Sequence, residues 1–431
     1  MSKRISKVEG LNVVSLFDGV SMARIALEKA NVKINNYFFS EIKKHAIANT
    51  LKKFPSSIPL GDVCKVHYEN NTLYKNCERE IVDCFENYED RTSWTKEEVD
   101  AFKKKGYEVM SNGNVIKWTL GEKVFEGKID LLIGGSPCTQ FSFASCFYNT
   151  KEMYGLNGKD SSLFYEYDRI RREMNPTYFF LENVKMKKKE GEEVLNYFMG
   201  VKGILLNSSL VSYQNRPRLY WTNIEGIGGG EIVAPKDRNV DFRDYKIMTI
   251  PRMEALLYKR RFENDTTKFN LTSNEIDEIC AIPSNKWARE ELDKAFGRKL
   301  TNREFVDEIH AMLYEAMAKK TPYRVEMWNG GACNGRKVNS KNITNAKKTS
   351  CITRKVDRCP SSCGLVSFHN FFRFATSLEL CRGMTIEYKY LYGMNYTKIQ
   401  DVCGDGFSID MVSHLLEGLN NVYDFGEEKE A

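Results

Sequence analysis

The sequence lacks several features that would assign it to common classes of protein. No run of about 18 or more apolar residues occurs, so no membrane span is expected. The first seven residues are basic, but no apolar stretch follows them, so no secretion signal is expected. The twelve cysteines never fall as Cys-x-x-Cys. Free thiols in a reducing cytoplasm are therefore expected.

One group of cysteines leaves a zinc site open as an alternative. Cys333 and Cys351 precede Cys359 and Cys363, which are the most closely spaced pair of the chain. Zinc ligands usually come in tighter pairs, so no metal is predicted. With 431 residues, of which 42% are hydrophobic and 28% charged, the composition is that of a soluble globular protein with one large domain or two ordinary ones.

Positive charge is concentrated in one part of the chain. Residues 226–369 hold 26 basic and 19 acidic residues, whereas the remainder holds 38 and 39. Within that part, residues 319–358 carry 11 basic and 2 acidic residues. Such a run is either a solvated face or a surface that binds the phosphates of a polyanion. Asparagines in the same segment could read base edges, which favours a nucleic-acid-binding lobe.

Two apolar runs of strand type end at residues that can carry chemistry. Residues 129–133 lead through Gly134-Gly135-Ser136-Pro137 to Cys138, and residues 177–181 end at Glu182-Asn183-Val184. Open α/β sheets bind their ligands outside the carboxyl ends of the strands. We therefore predict a nucleophilic thiolate at Cys138 and a functional carboxylate at Glu182.

Two further segments predict binding groups. Residues 13–17 have a strand pattern that ends in a turn at Asp18-Gly19, followed by a helical pattern over residues 22–30, which is typical of nucleotide sites. The next strand pattern ends at Glu41, about 20 residues after the turn, where an acid commonly holds ribose hydroxyls. Arg216 and Arg218 stand two residues apart on an extended segment, so their side chains should point to the same side and bind one small polar group together.

In this order, the segments resemble the DNA cytosine-5 methyltransferase family. The family pattern is found here as Phe17-Asp18-Gly19, Pro137-Cys138, Glu182-Asn183-Val184 and Gln214-Asn215-Arg216-Pro217-Arg218. Ser142 and Gly404-Asp405-Gly406 also match. The resemblance covers the first half of the chain and its C-terminal part.

The resemblance implies an α/β architecture of two domains. Residues 1–225 and 370–431 should form a Rossmann-like S-adenosylmethionine-dependent methyltransferase fold, and residues 226–369 a smaller target-recognition domain that binds DNA. Residues 64–128 are expected to be an insertion, for which no chemistry is predicted.

The resemblance also implies the roles of individual residues. Cys138 should attack carbon 6 of a flipped-out cytosine, Glu182 should act as the acid at N3, and Arg216 and Arg218 should orient the ring. The residues expected to bind S-adenosylmethionine are Phe17, Gly19, Val20, Glu41, Ile42, Asp62, Val63, Pro137 and Asp405.

The sequence departs from the family pattern at a few positions. Thr139 follows the Pro-Cys pair where Gln or Asn is usual, and Asp405 stands where Asn is usual. Residues 159–164 lack an arginine commonly found there. These changes concern the catalytic loop and the cofactor pocket, and they leave the expected nucleophile and acid in place.

The expected function is transfer of a methyl group from S-adenosylmethionine to carbon 5 of cytosine in a specific double-stranded DNA sequence. The protein should be a cytoplasmic monomer, associated with the nucleoid if its source is prokaryotic or viral, and restriction-modification is one setting for such an enzyme. A transfer-RNA cytosine-5 methyltransferase is an alternative, because its catalytic motifs are the same. A DNA-binding protein of this fold with impaired catalysis is another.

The segment Asn175-Pro176-Thr177-Tyr178 nearly matches an amino-methyltransferase motif, but it precedes a strand, so Pro176 should end a helix.

Overall fold

The computed structural model describes residues 10–84, 93–137, 163–186, 189–265, 270–317, 332–333, 336–337, 342–354, 363–368 and 372–421. These residues divide between two compact units. The first unit is drawn from Met1–Leu206, Arg218–Val233 and Ser413–Ala431. The second is drawn from Asn207–Pro217 and Ala234–Val412.

A seven-stranded sheet is the framework of the first unit. Its strands, numbered with all others in chain order, are β1 (Leu11–Leu16), β2 (Ile34–Ser40), β3 (Ile58–Gly61), β10 (Leu131–Gly135), β11 (Tyr178–Val184), β12 (Ile204–Asn207) and β13 (Pro217–Thr222). They lie in the order β12-β13-β11-β10-β1-β2-β3. The five strands from β11 to β3 are parallel to their neighbours, and β13 runs antiparallel to β11. This arrangement confirms the predicted α/β, Rossmann-like methyltransferase fold.

Helices alternate with the first strands and make up much of the second unit. Those of the first unit are α1 (Met22–Lys29), α2 (Lys44–Lys53), α3 (Lys96–Lys104), α4 (Leu163–Met174) and α5 (Lys189–Met199). The later helices are α6 (Pro251–Phe262), α7 (Ser273–Ala281), α8 (Lys286–Phe296), α9 (Asn302–Ala316), α10 (Ser377–Gly383), α11 (Tyr396–Asp405) and α12 (Ile409–Leu416). Over residues 11–63 strands and helices alternate, and they include the strand and the helix predicted at residues 13–17 and 22–30 and the strand predicted to end at Glu41.

The central strands are apolar because both of their faces are covered. Val13, Val14, Phe38, Leu132 and Phe180 have no exposed surface. Near-continuous hydrophobic runs of this kind are characteristic of buried parallel strands. The same runs are the ones that the sequence pattern assigned to strands.

The insertion at residues 64–128 forms two small antiparallel sheets and α3. One sheet has the order β4-β5-β9 and the other β6-β8-β7. Their strands are β4 (His67–Glu69), β5 (Thr72–Lys75), β6 (Glu78–Asp83), β7 (Glu108–Val109), β8 (Val115–Thr119) and β9 (Glu122–Glu126). The second unit has two short strand pairs, β14 (Ala332–Cys333) with β15 (Arg336–Lys337), and β16 (Val366–Ser367) with β17 (Phe372–Arg373).

The compact units differ from the predicted domains at three places. Residues 226–233, expected in the target-recognition domain, lie in the first unit. Residues 370–412, expected in the methyltransferase domain, lie in the second unit together with the strip 207–217, which was also expected in the methyltransferase domain. The buried side chain of Gln214 explains this, since its amide nitrogen donates to Gly383 O and its amide oxygen accepts from Ile352 N. That residues 226–369 recognise DNA remains a prediction.

A buried ion pair stabilises the second unit. Arg373 and Glu379 are 0% exposed and form a two-pronged contact, with Nη1–Oε2 at 2.7 Å and Nη2–Oε1 at 2.8 Å. Glu379 also accepts from the main-chain nitrogens of Ile247 and Thr376, at 2.8 and 2.7 Å. Paired charges with satisfied hydrogen bonds are tolerated in a core, whereas a single unpaired charge is not.

Glu379→Ala is expected to lower the free energy of unfolding by about 3–5 kcal/mol, because it leaves the Arg373 guanidinium buried without its counter-charge. Urea unfolding of parent and variant measures the change. Asp307→Ala removes a pair with Arg303 whose side chains are 45% and 51% exposed, and it should cost less than about 1 kcal/mol. Equal losses in the two variants would contradict the argument.

Candidate active site

The predicted site residues of the first unit follow neighbouring parallel strands. Phe17 and Gly19 follow β1, Glu41 follows β2, Asp62 follows β3, and Pro137 lies two residues after β10. Since the carboxyl ends of parallel strands meet at one edge of a sheet, these residues share that edge. The sequence therefore placed them on the side of the sheet where such folds bind ligands.

The turn after β1 has an unusual backbone that Asp18 holds in place. Phe17, Gly19 and Ser21 have φ values of 58°, 60° and 58°, in the left-handed region that side chains other than glycine rarely adopt. One carboxylate oxygen of Asp18 accepts from Ser15 Oγ and Tyr37 OH, both at 2.6 Å, and the other accepts from Ser21 Oγ. Burial raises the pKa of Asp18 to about 6. Sequence reasoning missed this role, because it treated Asp18 only as part of a turn.

Glu41 joins the end of β2 to the turn after β1. Its Oε2 accepts from Gly19 N at 2.9 Å, and its Oε1 accepts from the main-chain nitrogens of Ile42 and Lys43 at 2.7 and 2.8 Å. A carboxylate offers about four acceptor positions, so capacity is left for a ligand hydroxyl. The side chain of Ile42 is 72% exposed. The structure thus brings Gly19, Glu41 and Ile42 together, and their role in cofactor binding remains a prediction.

The other predicted cofactor residues of the first unit have varied surroundings. Asp62 is exposed and accepts from Cys64 N at 3.0 Å, which caps a short 3₁₀ helix, Val63–Lys65. Val20 and Val63 are buried, with 2% and 5% of their surface exposed. Their contribution to cofactor binding remains a prediction.

Glu182 and Arg218 meet at the same edge of the sheet. Arg218 Nε lies 2.8 Å from Glu182 Oε1, and both side chains are about nine-tenths buried. Glu182 is close to the carboxyl end of β11, whereas Arg218 is near the beginning of the antiparallel strand β13. Opposite strand directions therefore put the acid and the planar cation in contact.

Asn183 ties this pair to the segment that leads to the predicted nucleophile. Its Nδ2 donates to Ser136 Oγ at 3.0 Å, and its Oδ1 accepts from Val184 N at 2.8 Å. Asn183 is 1% exposed. Ser136 precedes Pro137, the last described residue before the catalytic loop. Cys138 itself lies outside the described residues, as do Thr139 and Ser142.

Arg216 has different surroundings from Arg218. It is 2% exposed and lies in the second unit, where Nη1 donates to Ile352 O at 3.0 Å and Nη2 to the carbonyl oxygens of Gly404 and Gly406 at 3.1 and 2.8 Å. These contacts use most of the donors of its guanidinium. Arg216 therefore supports the main chain of the second unit in this structure, and its predicted role on the base remains untested.

Asp405 lies in the second unit, as do Cys351 and Cys363, two of the cysteines for which a zinc site was left open as an alternative. Asp405 Oδ2 is 3.3 Å from Arg354 Nε and its side chain is 42% exposed. Cys351 Sγ is 3.4 Å from Arg216 Nη1, and burial raises the pKa of Cys363 to about 12. Cys359 lies outside the described residues.

None of the described helices has the length and apolar character needed to cross a membrane.

Comparison with known proteins identifies the family. A model of the C-5 cytosine-specific DNA methylases matches residues 91–421. The orphan methyltransferase M.Rho11sI of Bacillus phage rho11s is 26% identical over 243 residues, which cover 53% of this chain and 36% of the relative. The type II methyltransferase M.HpaII of Haemophilus parainfluenzae is 26% identical over 189 residues, 40% of this chain and 46% of the relative. The match thus spans less than half the length of each of these relatives.

A solved structure has a similar fold. The methyltransferase EhMeth of Entamoeba histolytica aligns with a TM-score of 0.51 and 11% identity, covering 95% of this chain and 98% of that one. The likeness concerns the fold alone. Together with the match to the family model over most of the chain, the sheet order and the ordered motifs show that this chain belongs to the C-5 cytosine-specific DNA methylase family.

Proposed function

We propose that the chain transfers a methyl group from S-adenosylmethionine to carbon 5 of cytosine in double-stranded DNA. The contact between Glu182 and Arg218 is the observation that supports this most directly. It puts an acid and a planar donor at the edge of the sheet where β10 leads to Cys138. Family membership supports the substrate class.

The residues have complementary roles in this reaction. The Cys138 thiolate adds to carbon 6 of cytosine and forms a C–S bond, which places negative charge on the ring. Glu182, sharing a proton with N3, neutralises that charge, and Arg218 donates to the carbonyl oxygen at carbon 2. Transfer of the methyl group to carbon 5 would leave S-adenosylhomocysteine. A base such as water then takes the carbon 5 proton, and the electron pair of that C–H bond expels the thiolate by breaking the C–S bond. The target base must leave the helix, since a stacked base offers no access to carbon 6.

S-adenosylmethionine, when bound, would supply an electrophilic methyl group. The first unit offers groups that fit it. The turn at Phe17-Asp18-Gly19 is fixed by buried hydrogen bonds, and Glu41 retains acceptor capacity for ribose hydroxyls. The exposed apolar side chain of Ile42 is suited to cover a purine.

DNA binding is proposed for the basic part of the second unit. Most of residues 319–358 lie outside the described residues, but Lys347 and Lys348 are described. Lys348 Nζ donates to the carbonyl oxygens of Ser209 and Ser212 at 2.7 and 3.0 Å, which makes it a structural lysine. Lys347 is exposed. Within residues 319–358, a contact with a DNA phosphate is therefore assigned to Lys347. The protein is proposed to act as a monomer.

Nucleoside mass spectrometry tests the proposal. The chain is expressed in a host whose DNA and transfer RNA lack 5-methylcytosine, with the empty vector as control. We expect 5-methylcytosine in DNA only with the chain. Methylation confined to transfer RNA would replace DNA by RNA as the substrate. If neither is modified while calorimetry shows that the purified chain binds S-adenosylmethionine, the proposal of an active enzyme fails and a binding protein of this fold is indicated.

A further inference from the structure

The insertion is attached to α4 through buried polar side chains. Arg169 of α4, 0% exposed, donates from Nη2 to the carbonyl oxygens of Val63 and Val66 at 3.3 and 2.8 Å. Glu173, one turn further along the same helix, accepts from Tyr68 N at 2.9 Å. These contacts join residues more than 100 positions apart in the sequence. The insertion is therefore part of the packing of α4.

Helix α4 in turn packs against β10, the strand that leads to Cys138. Tyr167 is fully buried, and its OH donates to Leu132 O at 3.4 Å. Gly134 is packed so closely that a Cβ atom there would lie 3.2 Å from the Tyr167 ring. A shift of α4 would therefore displace β10, and with it Ser136, which follows β10.

Two carboxylates meet where the insertion touches α4. The carboxylate oxygens of Glu108, from β7, and Glu173, from α4, lie within 4.8 Å of one another and of a ring nitrogen of His67. Like charges at this separation repel one another when they are partly shielded from water, which favours a proton on one of the two acids.

The surroundings decide which acid is charged. Glu173 Oε1 lies 2.5 Å from Arg169 Nη1 and 3.1 Å from His67 Nδ1, and its Oε2 accepts a main-chain N–H. Glu108 Oε2 accepts from Trp118 Nε1 at 2.8 Å. The negative charge belongs on Glu173, beside the guanidinium, and the proton on Glu108.

The directions of the pKa shifts agree with this assignment. Burial and the nearby charge of Glu173 raise the pKa of Glu108 to about 7. Burial opposes ionisation of Glu173, but Arg169 outweighs it and lowers the pKa of Glu173 to about 2. Burial also opposes protonation of His67, yet its contact with Glu173 raises the pKa of His67 overall.

We propose that Glu108 is a proton-dependent positioning residue, which holds the insertion on α4 while it is protonated and loosens that contact when it ionises. Its effect on methyl transfer would act through α4 and β10, and the expected effect on methyl transfer rests on the proposed function. The pH-dependent attachment of the insertion to α4 does not depend on the proposed function. The charged or titratable groups that act on Glu108 are Arg169 and Glu173 of α4 and His67 of β4. These groups are in turn paired with Glu69 of β4 and Glu166 of α4, and Glu166 is paired with Arg79 of β6.

A second attachment should keep the insertion in place when Glu108 ionises. Asp168 of α4, 1% exposed, accepts from Ser111 Oγ and from Arg172 Nε, and Arg172 Nη1 donates to Val109 O at 3.3 Å. We therefore expect local loosening around Glu108 and not release of the whole insertion.

The sign of the pH dependence follows from the direction of the shift. In the unfolded chain Glu108 loses its proton near its ordinary value of 4.5, whereas in the folded chain it keeps the proton up to about 7. The folded state therefore binds more protons in this window, and its stability falls as the pH rises through it. The contribution is largest at acidic pH and is lost above about 7.

Glu108→Gln tests the proposal, because glutamine keeps the shape and hydrogen bonds of the protonated acid but cannot ionise. Between pH 6 and 8 the parent should lose about tenfold in the folding equilibrium at this site, and its melting midpoint should fall about 2–4 °C further than that of Glu108→Gln. Amide exchange across α4 should accelerate over the same range in the parent alone. Glu97→Gln, at an exposed position of α3, should behave as the parent does.

A second variant keeps the test decisive if Glu108→Gln folds poorly. Trp118→Phe removes the donor that favours the charged form of Glu108, so the loss of stability should move to higher pH.

The ratio of kcat in Glu108→Gln to kcat in the parent should rise with pH, with KM for DNA unchanged. Parallel pH dependence of melting and exchange in parent and Glu108→Gln would overturn the proposal. Because melting and exchange need no turnover, they remain valid even if the chain proves to have no methyltransferase activity.

Discussion

Cys138→Ala is expected to abolish methyl transfer while binding of DNA and of S-adenosylmethionine persists. Carbon 5 of cytosine is a poor nucleophile until a thiolate adds to carbon 6, and alanine offers nothing that can form that bond. Binding rests on other residues, so its persistence separates loss of chemistry from loss of fold. Tritium transfer from labelled cofactor to DNA measures the first, and filter binding measures the second.

A covalent trap makes this expectation specific to the cysteine. DNA that carries 5-fluorocytosine has no proton to lose from carbon 5, so the C–S bond cannot be released by elimination. The parent should form a complex that survives denaturing electrophoresis. Cys84→Ala, a change at a partly buried free cysteine at the end of β6, should form it as well. Residual turnover or a persistent complex with Cys138→Ala would remove Cys138 from the mechanism.

The placement of the site residues could be predicted because local patterns carried the information. Apolar runs identified β1, β2, β10 and β11, and parallel strands present the residues that follow them at one edge of a sheet. The motif order therefore indicated that Glu41 and Gly19 lie close together, and their contact at 2.9 Å is in agreement. The contact of Glu182 with Arg218 was not predicted, because Arg218 stands near the beginning of β13, which runs antiparallel to β11.

Partners that are distant in the sequence could not be predicted in this way. The contacts of Arg169 with Val66 and of Glu173 with Tyr68 cross more than 100 residues, and no periodicity reports such a pairing. The insertion consequently had no predicted role.

The predicted domain boundary near residue 370 differs from the boundary of the compact units for the same reason. Arg216 is bound by the carbonyl oxygens of Gly404 and Gly406, some 190 residues further along the chain. Such contacts place residues 370–412 with the strip 207–217. The family layout had suggested that they return to the methyltransferase domain.

Glu182→Gln is expected to lower kcat by about 10²–10⁴, the usual contribution of a positioned acid or base. Glutamine keeps the size of the side chain and an oxygen that can accept from Arg218 Nε, so the local packing should survive. It cannot share a proton with N3, and it provides no charge to balance the nearby guanidinium. KM for DNA should change much less than kcat, since the lost interaction develops mainly in the transition state.

A double-mutant cycle with Arg218→Met tests whether the two side chains act as a pair. Their groups are 2.8 Å apart and about nine-tenths buried, so each single change leaves the other group in an unsuitable environment. The loss in kcat of the double variant should therefore be smaller than the product of the two single losses. A kcat for Glu182→Gln within threefold of the parent would exclude Glu182 as the acid. Single losses that simply multiply would mean that Arg218 acts on the base independently of Glu182.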